Sequence, residues 1–351
     1  MPHPYTSLPP QAFWHSGVVA TDRDGFPGLY DPKVRISPTT RIATAGSCFA
    51  QHIAGHLRAA GCDVLDAEPA PAAMPAGLAA RYGYGLYSGR YGNIYSTRQM
   101  RDLLTDLASG QPDPTLVWQS GGRFYDALRP AIEPGGLDSA AEVLLHRRYH
   151  LARTARMLRQ ADVMILTLGL TEIWLDRRTG RALPSSPGVI AGQFDPELHQ
   201  LHVQTHAEVL TDLHHIFQQL QGFHPSMQLL LSVSPVPLTA TATGAHVLTA
   251  SSLAKATLRA AAGEFSAAQA DADYVPSYEL LTHPAMAGDW FAPNLREVTA
   301  AGVARVMAFF LAAHGLSGSA APVASPDRHT PAGVQCEELL LEAFAHPGTG
   351  P

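Results

Sequence analysis

The chain has 351 residues, 46% hydrophobic and only 15% charged, so disorder of the whole chain is excluded. Thirty acidic against 24 basic side chains leave a net charge of −6, which argues against sequence-independent nucleic-acid binding. No apolar run reaches the roughly 20 residues that a membrane-spanning helix needs, and three scattered cysteines (Cys48, Cys62, Cys336) do not make a disulfide framework.

Residues 1–40 are rich in Pro, Gly and aromatic residues without a steady period, and read as an arm lying over the domain that follows. The opening MPHPYTSLPPQAFW lacks the basic-then-apolar order of a secretory signal, so the expectation is a reduced, cytoplasmic, soluble protein. RIATAG (41–46) predicts a strand. CFAQHIAGHLRAAG (48–61) predicts a helix with Phe49, Ile53 and Leu57 on one face and Gly61 as its stop, and CDVLDAE (62–68) a second strand. Strand, helix, strand is how a parallel α/β sheet begins. Residues 69–130, with the Tyr- and Gly-dense RYGYGLYSGRYGNIYSTRQM (81–100), break the rhythm and read as an insertion over one rim of the sheet.

A long helix is expected across 138–160, then a strand in ADVMILTLGL (161–170), apolar throughout as a central parallel strand must be. LPSSPGVIAGQFD (183–195) reads as loop, 202–221 as an amphipathic helix, and QLLLSVSPVPL (228–238) as a buried strand stopped by two prolines. Helices at 245–265 and 298–315 bracket a short strand in DYVPSYELL (273–281). Five strands alternating with helices over 41–316 predict one doubly wound three-layer α/β/α domain. From Ser317 the chain is Ala-, Pro-, Ser- and Gly-rich, with one apolar island at 334–345 that reads as a short helix docking either on a protein partner or back on its own domain.

In an open parallel sheet the site lies at the carboxyl ends of the strands, where three loops stand out: AGSCFA (45–50), GLTEIW (169–174) and SPVPL (234–238). Gly46 permits a sharp turn, Ser47 suits the N-cap of the next helix, and Cys48 falls at that helix's N-terminus, where amides and dipole favour a thiolate. The Gly-rich stretches match neither a dinucleotide fingerprint nor a P-loop, so no nucleotide cofactor is expected. His52 and His56 follow Cys48 on one helical face, but no H-E-x-x-H spacing occurs and no metal is predicted.

GSCFA (46–50) is the signature for which the GSCFA domain family is named, and the chain resembles that family over about residues 30–310. The resemblance rests on YGNIYSTRQM, HLARTARML, LTLGLTEIW, PSSPGVIAGQFD, SVSPVPLTAT, HVLTASSLAKATLRA, PSYELLT and FAPNLREVTAAGV, in that order. The family is similar to the SGNH/GDSL hydrolases, which implies a flavodoxin-like fold and acyl-ester chemistry. Laying G-D-S-L over G-S-C-F puts Cys48 in the nucleophile's place and Ser47 at the aspartate; a shift of one residue would make Ser47 the nucleophile but lose the glycine. A G-N-C-Q opening in a related acyltransferase family favours cysteine.

The G-x-N-D block falls on Gly169, Leu170, Thr171 and Glu172, so the resemblance implies Thr171 as an oxyanion donor, with Glu172 placed to orient a histidine. Gly92 or Asn93 would take the place of the second-block glycine, and Tyr91 and Arg98 beside them suit a sugar or a nucleotide-like acyl carrier. The histidine of the closing D-x-x-H is missing: Asn294 and Glu297 stand there. His246, after the SPVP loop, is the first alternative base and His150 the second. The expected function is acyl transfer through a covalent intermediate, as an esterase or an acyltransferase on glycan or small-molecule acyl esters, with acyl-CoA or another acyl thioester as donor. The alternative is a catalytically eroded binding module that recruits a partner through its tail.

Overall fold

The run VMILTL (163–168) has no polar alternation, and it forms the central strand of a parallel sheet covered on both faces. The computed structural model describes residues 3–21, 26–286, 288–316 and 337–345. In chain order these form β1 (Arg41–Gly46), α1 (Ala50–Ala59), β2 (Asp63–Val64), α2 (Ala76–Arg81), α3 (Thr97–Ser109), β3 (Val117–Ser120), β4 (Arg123–Asp126) and α4 (Ala140–Leu158). There follow β5 (Val163–Leu168), β6 (Glu172–Asp176), β7 (Ala182–Leu183), β8 (His199–Val203), α5 (His206–Phe223) and β9 (Gln228–Val233). Last come α6 (Val247–Ala268), β10 (Ala272–Tyr274), α7 (Ser277–Thr282), α8 (Ala300–Ala313) and a 3-10 helix, Glu337–Ala345.

The five parallel strands run β2-β1-β5-β9-β10. This is the flavodoxin-like order, doubly wound, with its switch point between β1 and β5. Alternate side chains serve opposite layers. Met164, Leu166 and Leu168 of β5 join Leu229, Leu231 and Val233 of β9 against Leu151 of α4, Leu213 of α5 and Leu258 of α6. Ile42, Val163, Ile165 and Leu230 face the other way, against Leu57 of α1, Leu281 of α7 and Val306 of α8. Burial of each such side chain contributes roughly 1.5–3 kcal/mol, so the sheet is fixed from both sides.

Three segments depart from the expectations. The strand expected at 62–68 shortens to Asp63–Val64, because the Asp66 carboxylate accepts the Glu68 N–H at 3.0 Å and turns the chain away. DYVPSYELL divides at Pro276, which cannot donate a ladder bond: β10 precedes it and α7 follows. TEIWLD does not stay a loop; it is the middle strand of a small antiparallel sheet, β7-β6-β8. In the leading segment Val34 and Ile36 are buried, and the Ile36 N–H donates to His314 Nδ1 at 3.2 Å. Of the tail, 317–336 and 346–351, including Cys336, lie outside the described residues. Among the described residues no helix is long and apolar enough to cross a membrane.

Where β1 ends, Gly46 has a φ of 141°, and a Cβ built on it would lie 2.5 Å from the Thr167 carbonyl oxygen of β5. Gly46→Ala is therefore expected to lower stability by more than the about 1–3 kcal/mol of backbone strain alone. Gly61→Ala, with a φ of 78° but open space around its Cβ, serves as the strain-only control. Urea midpoints of the two variants check this; equal losses would show that the close approach does not matter.

Candidate active site

The tight packing at Gly46 sets up the turn that follows. The Ser47 N–H still donates to the Thr167 carbonyl of β5 at 3.1 Å, so the chain leaves the sheet only at Cys48. The amides of Ala50, Gln51 and His52 donate to the carbonyls of Ser47, Cys48 and Phe49 at 2.8, 3.3 and 3.2 Å. That leaves the turn short. The N-cap of α1 is Phe49, with helical backbone and no side-chain cap, and this corrects the expectation for Ser47. Ser47 comes two residues too early, tied to β5; its Oγ is buried without a hydrogen-bond partner.

The ends of β5 and β9 complete a pocket. The Tyr95 carbonyl accepts the N–H groups of Gly169 and Leu170 at 2.8 and 3.0 Å, and Lys255 Nζ of α6 donates to the Gly169 carbonyl at 2.6 Å. A side chain at Gly169 would press on Ser47 Cβ and the Tyr95 carbonyl, both 3.1 Å from an added Cβ. Ser234 N–H is held by the Leu168 carbonyl, and Ser234 Oγ accepts the Val236 N–H. Around the resulting hollow of about 230 Å³ lie Ser47, Cys48, Tyr95, Gly169, Leu170, Ser234 and Val236 to Leu238. Cys48 is 5% exposed there, and neither it nor Cys62 forms a disulfide. A larger cleft of about 530 Å³, walled by Glu172, Trp174, Leu183 and Ser185 among others, shares Tyr95, Leu170 and Leu238 with this pocket.

The structure thus brings together Cys48, Ser47 and Gly169, with Gly46 beneath them, and leaves the other expected site residues elsewhere. Thr171 is buried with its carbonyl on the Gln204 N–H, but Gly169 and Leu170, not Thr171, wall the pocket at this strand end. Among the described residues Glu172 holds a loop and no histidine: its carboxylate accepts the Thr241 hydroxyl at 2.6 Å and the Ala242 N–H at 2.8 Å, clamping the loop after β9. His246 is exposed and caps α6, its Nδ1 accepting the Leu248 N–H at 3.2 Å. Among the described residues no histidine lines the Cys48 pocket.

Gly92 turns the chain at a φ of 73°. Asn93 Oδ1 lies 2.6 Å from the Tyr87 hydroxyl, which is itself 2.9 Å from the Ser47 carbonyl oxygen, so Asn93 braces the turn from behind. Tyr91 and Asn93 also line a separate cavity of about 350 Å³ with Gln99, Asp102 and Arg147. Arg98 lies beside Asp102 and the Gly180 carbonyl, away from the thiol pocket. Asn294 Oδ1 accepts the N–H groups of Arg296 and Glu297, a local turn that orients no base. His56 Nδ1 lies 2.8 Å from the His52 carbonyl oxygen, and among the described residues no group of three or more His, Cys, Asp or Glu could hold a metal ion.

His150 is fully buried, its Nδ1 2.6 Å from Glu68 Oε2 and its ring edge-on to Tyr91. Burial holds its pKa down at about 4, helped by the charge of Arg129 and opposed by Glu68. Burial alone would raise Glu68, but the His150 hydrogen bond, the nearby positive charges and the Arg90 N–H outweigh it and hold the carboxyl at about 2. This pair is a structural brace between α4 and the chain after β2. Both groups bind protons less readily folded than unfolded, so stability is complete above the unfolded histidine value near pH 6.5. It falls as the pH drops through about 6.5 and again below about 4.5. Denaturant midpoints from pH 8 to pH 4 in wild type and Glu68→Gln check this: the variant is less stable at pH 7 and its midpoint depends less on pH.

Sequence reasoning passed over Lys255 and Ser234. Both left a signal: a lone lysine on the buried stripe Ser251, Ala254, Leu258 and Ala262 of α6, and the first residue after a strand buried at all but its first position.

The GSCFA family matches residues 41–310 of the chain. No curated protein matches. Among solved structures, one described as "a putative platelet activating factor from Streptococcus pneumonia" is similar at 16% identity and a TM-score of 0.27, over 49% of this chain; the match spans 65% of that structure's length.

Proposed function

The chain belongs to the GSCFA family, and from that premise we propose that it is an acyl-transfer enzyme with the Cys48 thiol as its nucleophile. The observation that carries this reading is the pairing, in one pocket at the switch point of the sheet, of a thiol and a buried hydroxyl with no partner, Ser47 Oγ. An unsatisfied buried hydroxyl costs about 1–3 kcal/mol, and an oxyanion bound beside Cys48 would accept its hydrogen bond. The likeness of the sequence blocks to SGNH/GDSL hydrolases supports the same chemistry.

In the first step the Cys48 thiolate attacks the carbonyl carbon of an ester or thioester, the C–S bond forms, and the leaving group departs with its electron pair and takes a proton. In the second, a hydroxyl, amine or water oxygen attacks the acyl-enzyme, the C–S bond breaks, and the acceptor's proton returns to sulfur. Water makes the protein an esterase; a sugar hydroxyl or an amine makes it an acyltransferase. Among the described residues no histidine lines the pocket, and the proposed step needs a nucleophile that ionises near neutral pH. A thiol does so where a hydroxyl does not, being a few per cent thiolate near neutral pH, and the first turn of α1 favours the anion. Lys255 acts through Gly169, fixing the peptide that walls the pocket.

A second reading, a binding module that has lost its chemistry, draws on the same observation that among the described residues no histidine lines the pocket. Incubation with an acetyl thioester followed by intact-mass measurement separates the two. An acetyl adduct is expected on wild type and none on Cys48→Ala, with Ser47→Ala forming it about 10²–10³-fold more slowly. No adduct on wild type, or an undiminished one on Cys48→Ala, overturns the proposal.

A further inference from the structure

The buried face of α6 supports two walls of the thiol pocket. Ser251 Oγ accepts the Leu238 N–H at 2.7 Å, and one turn on Lys255 Nζ donates to the Gly169 carbonyl at 2.6 Å. Lys255 is 5% exposed and sits between Ala254 and Leu258 on the face turned to the core. Taking an ammonium out of water is expensive, and holding one carbonyl is a task that a neutral N–H or hydroxyl performs. What only a cation adds is its field. Among the described residues that line the pocket none carries a formal charge. An anion formed there meets the charge of Lys255 across the Gly169 peptide, in surroundings where water and salt screen little.

We propose that Lys255 is a positioning residue for the nucleophile: its charge, held behind Gly169, favours the Cys48 thiolate and lowers the pH at which the sulfur reacts. This rests on the acyl-transfer reading for its use in catalysis, and on the geometry alone for the thiolate. The other titratable groups about Cys48 are His52 and His56 on its own helix, Tyr95 on the pocket wall and Tyr87 against the Ser47 carbonyl. Glu172, in the adjoining cleft, is committed to Thr241 and Ala242. Towards α7 and α8 the thiol joins an apolar cluster with Leu280 and Val303.

The test is site-mapped alkylation by iodoacetamide across about pH 6–10 in the full chain, because alkylation needs a thiolate and no acyl transfer. Cys62, whose thiol burial pushes up, is the internal reference. In wild type the Cys48 profile is expected to have its midpoint below the ordinary thiol value of about 8.5. Lys255→Met and Lys255→Gln are expected to raise that midpoint by about one unit, although the glutamine amide can still donate to a carbonyl. Lys255→Arg restores it. Ser251→Ala, which frees the Leu238 N–H on the same helix face, leaves it in place. Loss of a merely structural brace would change the plateau rate at high pH and not the midpoint. A wild-type midpoint at or above about 8.5, a Lys255→Gln midpoint equal to wild type, or an equal shift in Ser251→Ala or at Cys62 overturns the proposal. Should the acetyl adduct fail to form while the midpoint still moves, Cys48 is lost as the nucleophile and Lys255 keeps its hold on the thiolate.

Discussion

At the carboxyl end of β1 two backbones pass closer than any side chain permits. Gly46 and Thr167 are register partners across the parallel ladder, and the Thr167 carbonyl then accepts the Ser47 N–H. That contact holds the chain in the sheet for one residue more than the strand needs, so the turn into α1 is compressed into Cys48 and Phe49. Everything at the site follows from it: Ser47 remains pressed against Gly169, its hydroxyl goes unsatisfied, and the thiol is delivered to the rim where β1, β5 and β9 end.

The molecule separates its polar chemistry into two places. Around Cys48 the wall is hydroxyls, backbone and apolar side chains, with a lysine holding one carbonyl from outside. Around His150 a neutral imidazole holds a carboxylate through Nδ1 beside buried arginines, away from the rim, while its Nε2 is buried without a partner among the described residues. An imidazole packed this deeply contributes rigidity at the expense of reactivity. The thiol has the reverse arrangement, with space beside it at the strand ends.

The alternation of strands and helices was readable because buried parallel strands stand out as unbroken apolar runs and amphipathic helices by their period, and VMILTL and QLLLSV are the strands that such runs announced. The small sheet around β6 was not readable. Glu172–Asp176 mixes acidic and apolar residues over five positions, and its partners β7 and β8 are fixed by contacts distant in sequence. The family signature located the thiol but not its neighbours. His246 looked like a base because it follows an active-rim loop; its ring nitrogen serves as an N-cap acceptor instead, a use that the sequence spells no differently from catalysis. Lys255 was visible as a charge on an apolar stripe, yet only the fold aims it at Gly169.

The segment between β2 and β5 is stitched to the rim by several bonds, among them the Ile94 N–H on the Gly46 carbonyl, the Tyr87 hydroxyl on the Ser47 carbonyl and the Tyr95 carbonyl on the amides of Gly169 and Leu170. These stitches are mutual. A cut or slippage anywhere in that long excursion would be felt as slack beneath the sulfur, even though no covalent bond near it had changed. The excursion is in this respect part of the scaffold, since it closes the seam between β1 and β5 that the ladder leaves open at its end.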